Sequence, residues 1–194
     1  MIKKIYGEKY LVYCLFGLLY ITLPILMMID IPIEIMKHLR SEVNIYRVNL
    51  SFAGIGKLFP CAIIFSIWIN DTMAYLVGSF IGKTPLTKIS LKKTWEGTIG
   101  GIILCVLVIG FLFPLIIEKF SNTEIKKNIW FIIPAICAIF GTLGDLLESK
   151  LKRMADVKDS GSFMPGHGGF LDRFDSLLVA VPAVWLYVYL FLKQ

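Results

Sequence analysis

The sequence predicts an all-α, polytopic integral membrane protein of about five transmembrane helices, with its polar active-site loops on the cytoplasmic face. Three observations predict it. Of 194 residues, 57% are hydrophobic and only 18% are charged, against about 25% charged in soluble domains. Mean hydropathy is +0.74. The apolar residues fall in blocks close to the roughly 20 residues that a helix needs to cross a bilayer.

Taken in order, residues 10–29 and 97–117 are uncharged and long enough to span, and 176–192 is uncharged but shorter. Residues 58–82 and 129–147 span if they tolerate Asp71 and Asp145. The first block is too long for the apolar core of a signal peptide and lacks a small-residue cleavage site, so it is expected to stay. Residues 30–57 contain Pro32, Gly54 and Gly56 and are expected to form a loop with a short surface helix. Residues 118–128 read as a polar connector. Residues 1–57 thus form an N-terminal span and connector, and 58–194 the membrane domain that carries the chemistry, within one structural domain.

Cys14, Cys61, Cys105 and Cys137 each sit alone in an apolar segment, as small hydrophobes do. The net charge of +6 does not argue for nucleic acid, because Lys and Arg beside spans first report orientation. Five spans put the N-terminus, residues 83–96 and residues 148–175 on one side. That side holds twelve of the twenty basic residues, which makes it the cytoplasmic side.

Three stretches carry possible chemistry. Asp71 lies within an apolar block, where a charge costs from about 2.5 to over 10 kcal/mol and is rarely kept without a partner or a cavity. Lys92 and Lys93 precede Trp95 and Glu96, an arrangement that also suits a plain interfacial flank. Gly97, Gly100 and Gly101 follow and permit close helix packing. Residues 149–175 hold nine charged side chains, five glycines or prolines and one histidine. Asp145, Glu148 and Ser149 share a helical face by their spacing, and Lys152 and Arg153 follow within reach of lipid headgroups. Asp172 and Asp175 then flank Arg173.

Two carboxylate groups with intervening cations and a Gly-Gly turn suit Mg²⁺ and polyphosphate. Mg²⁺ takes one or two carboxylates and leaves its other positions to water and phosphates. Lys, Arg and glycine-turn amides neutralise what remains. Zinc does not fit, since His167 has no nearby Cys and His38 falls on the opposite side. A Ser–His nucleophile stays open, although no GxSxG elbow is present. An ion-coupled transporter would explain Asp71 and Asp145, but no inverted repeat is found; a scaffold leaves the charged loop unexplained.

The run Ser149, Lys152, Arg153, Lys158, Asp159, Pro165, His167, Gly168, Gly169, Asp172, Arg173 and Asp175 closely resembles the signature of the phosphatidate cytidylyltransferase (CDP-diacylglycerol synthase) family. The blocks at 70–78 and 92–101 match two further parts of that pattern, with Leu91 where a proline is expected. The resemblance covers roughly residues 58–192. It implies the reaction of CTP with phosphatidate to give CDP-diacylglycerol and diphosphate, dependent on Mg²⁺, with a second cation as an option. It implies Asp145 and Asp172 as metal ligands, with Asp175 and Asp71 outside them or on the second metal. Lys158, Asp159, His167 and Arg173 are expected at the reacting phosphates, and Lys93, Ser149, Lys152, Arg153, Gly168 and Gly169 around the substrates. Implied partners are CTP, phosphatidic acid in the bilayer and a second copy of the chain as a homodimer. Family members carry several more spans ahead of this region, so a compact or shortened form is expected. A related lipid-phosphate transferase or CTP-dependent lipid kinase is the alternative.

Overall fold

The computed structural model describes residues 2–42, 51–87, 90, 93–121, 128–157, 160–161, 169 and 171–192. Five helices follow one another: α1 (Ile2–Glu42), α2 (Ser51–Ile81), α3 (Trp95–Ser121), α4 (Ile129–Met154) and α5 (Asp175–Tyr187). A 3-10 turn, Leu171–Arg173, leads into α5, and a π-helical turn, Val188–Leu192, ends it. No strand occurs among the described residues; the one extended pairing is an isolated bridge between Pro85 and Thr94. Four helices contain apolar stretches long enough to cross a membrane, Tyr10–His38, Leu58–Ile81, Trp95–Ile116 and Ile129–Met154, and a shorter fifth runs Asp175–Phe191. The protein is an all-α, multi-pass membrane protein.

The region after Pro32 differs from the expectation of a loop: α1 runs unbroken to Glu42. Every one of the five helices holds at least one internal proline. Proline interrupts a helix because it lacks an N–H donor and its ring crowds the carbonyl one turn back; in a membrane bundle, neighbouring groups satisfy the freed carbonyl. Packing settles the matter here, since Ile31 and Ile35, one turn apart, are fully buried. Gly56 lies inside α2 and lets it pass against Met36 and Pro32 of α1. Its glycine therefore marks a helix contact, not a turn.

The core centres on Trp130 of α4, stacked between Phe59 of α2 (4.9 Å between centroids) and Phe113 of α3 (5.5 Å). Most of the outer surface of α1 is apolar and exposed, including Leu11, Phe16, Leu19 and Leu26, as expected of a face that meets lipid. Cys105 and Cys137 are buried and Cys14 and Cys61 exposed, all as free thiols.

The α2–α3 pair forms the closest helix contact. A Cβ on Gly101 would stand 2.9 Å from the Cα of Ala74, and one on Gly97 would stand 2.9 Å from the Cα of Gly78. The connecting turn is held by Glu96, whose carboxylate accepts hydrogen bonds from the amides of Lys83 and Thr84. The amide of Trp95 donates to Thr84 O (3.0 Å) and that of Leu86 to Lys93 O (2.7 Å). Glu96 is thus more than an interfacial flank: it fixes the turn that carries Lys93.

Gly101→Ala should destabilise the protein by about 1–3 kcal/mol, because its methyl meets backbone that cannot yield. Gly17, with nothing within 4 Å, is the control. Thermal unfolding in detergent should show a lowered midpoint for Gly101→Ala and none for Gly17→Ala; equal midpoints would remove the close packing from the account.

Candidate functional site

Two polar clusters lie at the end of the bundle where α2 and α4 finish and α3 and α5 begin. The first surrounds a cavity of about 290 Å³ lined by Asn70, Asp71 and Tyr75 of α2, Lys93, Thr94 and Thr98 at the start of α3, and Thr142 and Asp145 of α4. Lys93 is ion-paired to Asp145, and both side chains keep about a quarter of their surface exposed (26% and 29%). Ser149 Oγ donates to Asp145 Oδ1 at 3.4 Å, one turn along α4. Asn70 Nδ2 donates to Thr142 Oγ1 at 3.3 Å and ties α2 to α4 beneath the pair. Asp71 opens into this cavity, which is the partner-bearing environment that an acidic residue in a span requires.

The second cluster centres on Asp172 in the 3-10 turn. Lys152 Nζ donates to Asp172 Oδ1 at 2.9 Å, and the amides of Gly169 (2.7 Å) and Ser160 (3.0 Å) donate to Oδ2. Burial alone would raise the pKa of Asp172. The Lys152 ammonium and the two amides outweigh it and hold the carboxyl well below its usual range.

Glu148 joins the clusters. It is 3% exposed and 3.7 Å from Lys152, one turn away on α4. Its carboxyl abuts those of Asp172 and Asp175, and neither oxygen receives a hydrogen bond among the described residues. Asp175 is brought there by a close approach of α5 to α4, since a Cβ on Gly144 would stand 2.7 Å from Asp175 O and 3.0 Å from Ser176 Cα. Asp175 Oδ1 accepts from the amide of Ser176 at 2.5 Å.

The structure therefore brings Asp71, Lys93, Asp145 and Ser149 together around the cavity. It brings Lys152, Gly169 and Asp172 together beside it, with Asp175 between. Arg153 is exposed on the outer face of α4 and joins neither cluster. Lys158, Asp159, His167 and Gly168 lie outside the described residues. The backbone of Arg173 sits in the 3-10 turn, and its side chain lies outside the described part. Glu148, Asn70 and Thr142 were not singled out as site residues by the sequence. The spacing of Glu148 from Asp145 and Lys152 was the available signal for it.

No three His, Cys, Asp or Glu side chains among the described residues form a ready metal cage. The donors nonetheless suit a hydrated hard cation, which needs only one or two carboxylates: Asp71 and Asp145 line one cavity, and the oxygens of Glu148 lack donors.

Residues 4–191 match the sequence profile of the cytidylyltransferase family, and the chain belongs to that family. It is 42% identical over 144 residues to the phosphatidate cytidylyltransferase of Bacillus subtilis strain 168, covering 74% of this chain and 51% of that protein. It is 46% identical over 147 residues to the phosphatidate cytidylyltransferase of Staphylococcus saprophyticus, covering 70% and 55%. With that of Staphylococcus epidermidis it shares 44% identity over 119 residues, 60% and 43%. The chain spans about half the length of these curated relatives.

The lowered pKa of Asp172 has a defined pH signature. A carboxyl depressed on folding stabilises the fold above its unfolded pKa of about 4, and this stabilisation fades as pH falls through and below that value. The gap in unfolding midpoint between the wild type and Asp172→Asn should be constant from pH 5 to 7 and should narrow toward pH 3. A gap that is flat down to pH 3 would contradict the depressed pKa.

Proposed function

We propose that the protein transfers the cytidylyl group of CTP to phosphatidate, giving CDP-diacylglycerol and diphosphate in phospholipid biosynthesis. The observation that carries this reading is the meeting of two carboxylate–lysine pairs, Lys93–Asp145 and Lys152–Asp172, at one end of a membrane bundle. Each pair holds a site for an anion and a site for a cation in register. The family match and the names of the relatives support the same reaction.

In the reaction, a phosphatidate oxygen forms a bond to the α-phosphorus of CTP as the bond to diphosphate breaks. The attacking phosphate is already ionised near neutral pH, so no strong base is needed. Positioning and charge neutralisation then supply most of the catalysis. Lys93 and Lys152 would turn from their carboxylates to substrate phosphates. Asp71 and Asp145, and Asp172 with Asp175, are the candidates to hold Mg²⁺ and a second cation. Mg²⁺ would neutralise charge on the phosphates. Lys158, His167, Gly168 and Arg173 are proposed phosphate contacts, with Asp159 supporting them. The excess of basic residues at this end supports a cytoplasmic orientation.

One assay tests reaction and orientation together. Sealed inside-out and right-side-out vesicles bearing the protein are given labelled CTP, Mg²⁺ and dioleoyl phosphatidate, and lipid-extractable label is counted. Label should appear in inside-out vesicles alone, since CTP does not cross the bilayer, and Asp172→Asn, which removes a proposed metal ligand, should abolish it. No label in either preparation would overturn the reaction; label in right-side-out vesicles would overturn the orientation.

A further inference from the structure

A second cavity, of about 700 Å³, lies beside the Asp172 turn and is lined there by Leu171 and Phe174. That volume falls within the roughly 300–1,000 Å³ usual for ligand sites. Ile21, Ile25 and Met28 of α1, Ile64 of α2 and Leu177 of α5 form its walls. Ser160, Gly161 and Gly169 close one end. α1 packs on the bundle at more than one level, with Pro24 and the hydroxyl of Tyr20 buried as well as Ile31 and Ile35. Trp185 Nε1 donates to Asp30 Oδ2 at 2.8 Å, and Ile31 and Ile35 just beyond are fully buried. On the other side of that fastening, Ile21, Ile25 and Ile29 are 40%, 49% and 62% exposed.

We propose that this groove seats one acyl chain of the lipid substrate, with the lipid phosphate at the Lys152 end. The inference rests on the lipid-phosphate reading above and adds where the chain lies. Two features select this occupant. The walls belong to membrane-crossing helices and offer no side-chain hydrogen-bond partner, so the space is dry and suited to hydrocarbon. The polar end is shared with the reaction cluster: the amides of Ser160 and Gly169, which close the groove, donate to Asp172, and Lys152 holds the same carboxylate. A lipid lying in the groove therefore brings its anionic head to a lysine without leaving the bilayer. Gly169 also needs its missing side chain, because a Cβ there would strike Ser160 and stand 2.7 Å from the amide of Gly161.

The test uses the full chain in nanodiscs of phosphatidylcholine, with a phosphatidate probe carrying a diazirine in one acyl chain. Photolysis and peptide mass spectrometry should place adducts on Ile21, Ile25 and Ile64. Excess dioleoyl phosphatidate should remove them, and dioleoyl phosphatidylcholine should not. Adducts on Phe111, which is 62% exposed on α3, should survive both as the measure of bulk-lipid labelling. Ile25→Trp should weaken the displaceable labelling at Ile64 by about tenfold, a change of 1.4 kcal/mol, with the unfolding midpoint kept. Groove adducts displaced no better than those on Phe111, or displaced equally by phosphatidylcholine, would overturn the proposal. Cytidylyl transfer is assayed on the same sample. Displaceable groove adducts without product would overturn the reaction and keep the groove, whereas product without such adducts would overturn the groove alone.

Discussion

A carboxylate among membrane helices has to be paired, and this requirement organises the bundle. Asp145 is met by Lys93, and Asp172 by Lys152 with two backbone amides. Removing one member of a buried pair leaves an uncompensated charge and costs about 3–5 kcal/mol when burial is complete; the partial exposure of Lys93 and Asp145 lowers that figure. Each pair joins segments that are distant in the chain, so the helices must arrive in register. Glu96 clamps the α2–α3 turn so that Lys93 reaches α4, and Gly97 and Gly101 let α3 come close enough to α2. Gly144 does the same for α5, which carries Asp175 to the cluster.

On the proposed reading, a lysine facing a carboxylate would offer one position to a phosphate and one to a cation. Glu148 adds a third acidic group, buried one turn from Lys152, whose oxygens receive no hydrogen bond among the described residues. The groove against α1 lies on the same turn, so hydrocarbon and phosphate chemistry meet across Asp172 and its two amides.

Much of this was legible in the sequence where the signal is local. Uninterrupted apolar length located the helices, and the spacing of Asp145 and Ser149 placed both on one face, as their hydrogen bond shows. The small residues at 97 and 101 announced a close contact but not its partner. The helix beyond Pro32 was hidden because proline and glycine signals are read against water, while Ile31 and Ile35 are held by neighbouring helices. The Lys93–Asp145 pair was hidden because nothing local ties a residue before α3 to one late in α4. Lys93 alone looks like an ordinary interfacial flank. Thr142 and Asn70 resemble any polar residue in a span until their mutual hydrogen bond is seen.

The pairing itself can be measured by a double-mutant cycle on Lys93 and Asp145, using Lys93→Met, Asp145→Asn and the double variant, with unfolding followed in detergent. Each single variant should be less stable than the wild type, and the double variant should lose less than the sum of the two. A coupling energy within about 0.5–3 kcal/mol is expected for residues in direct contact. Strictly additive losses would show that the two side chains do not meet, and the pairing would no longer account for the arrangement of the bundle.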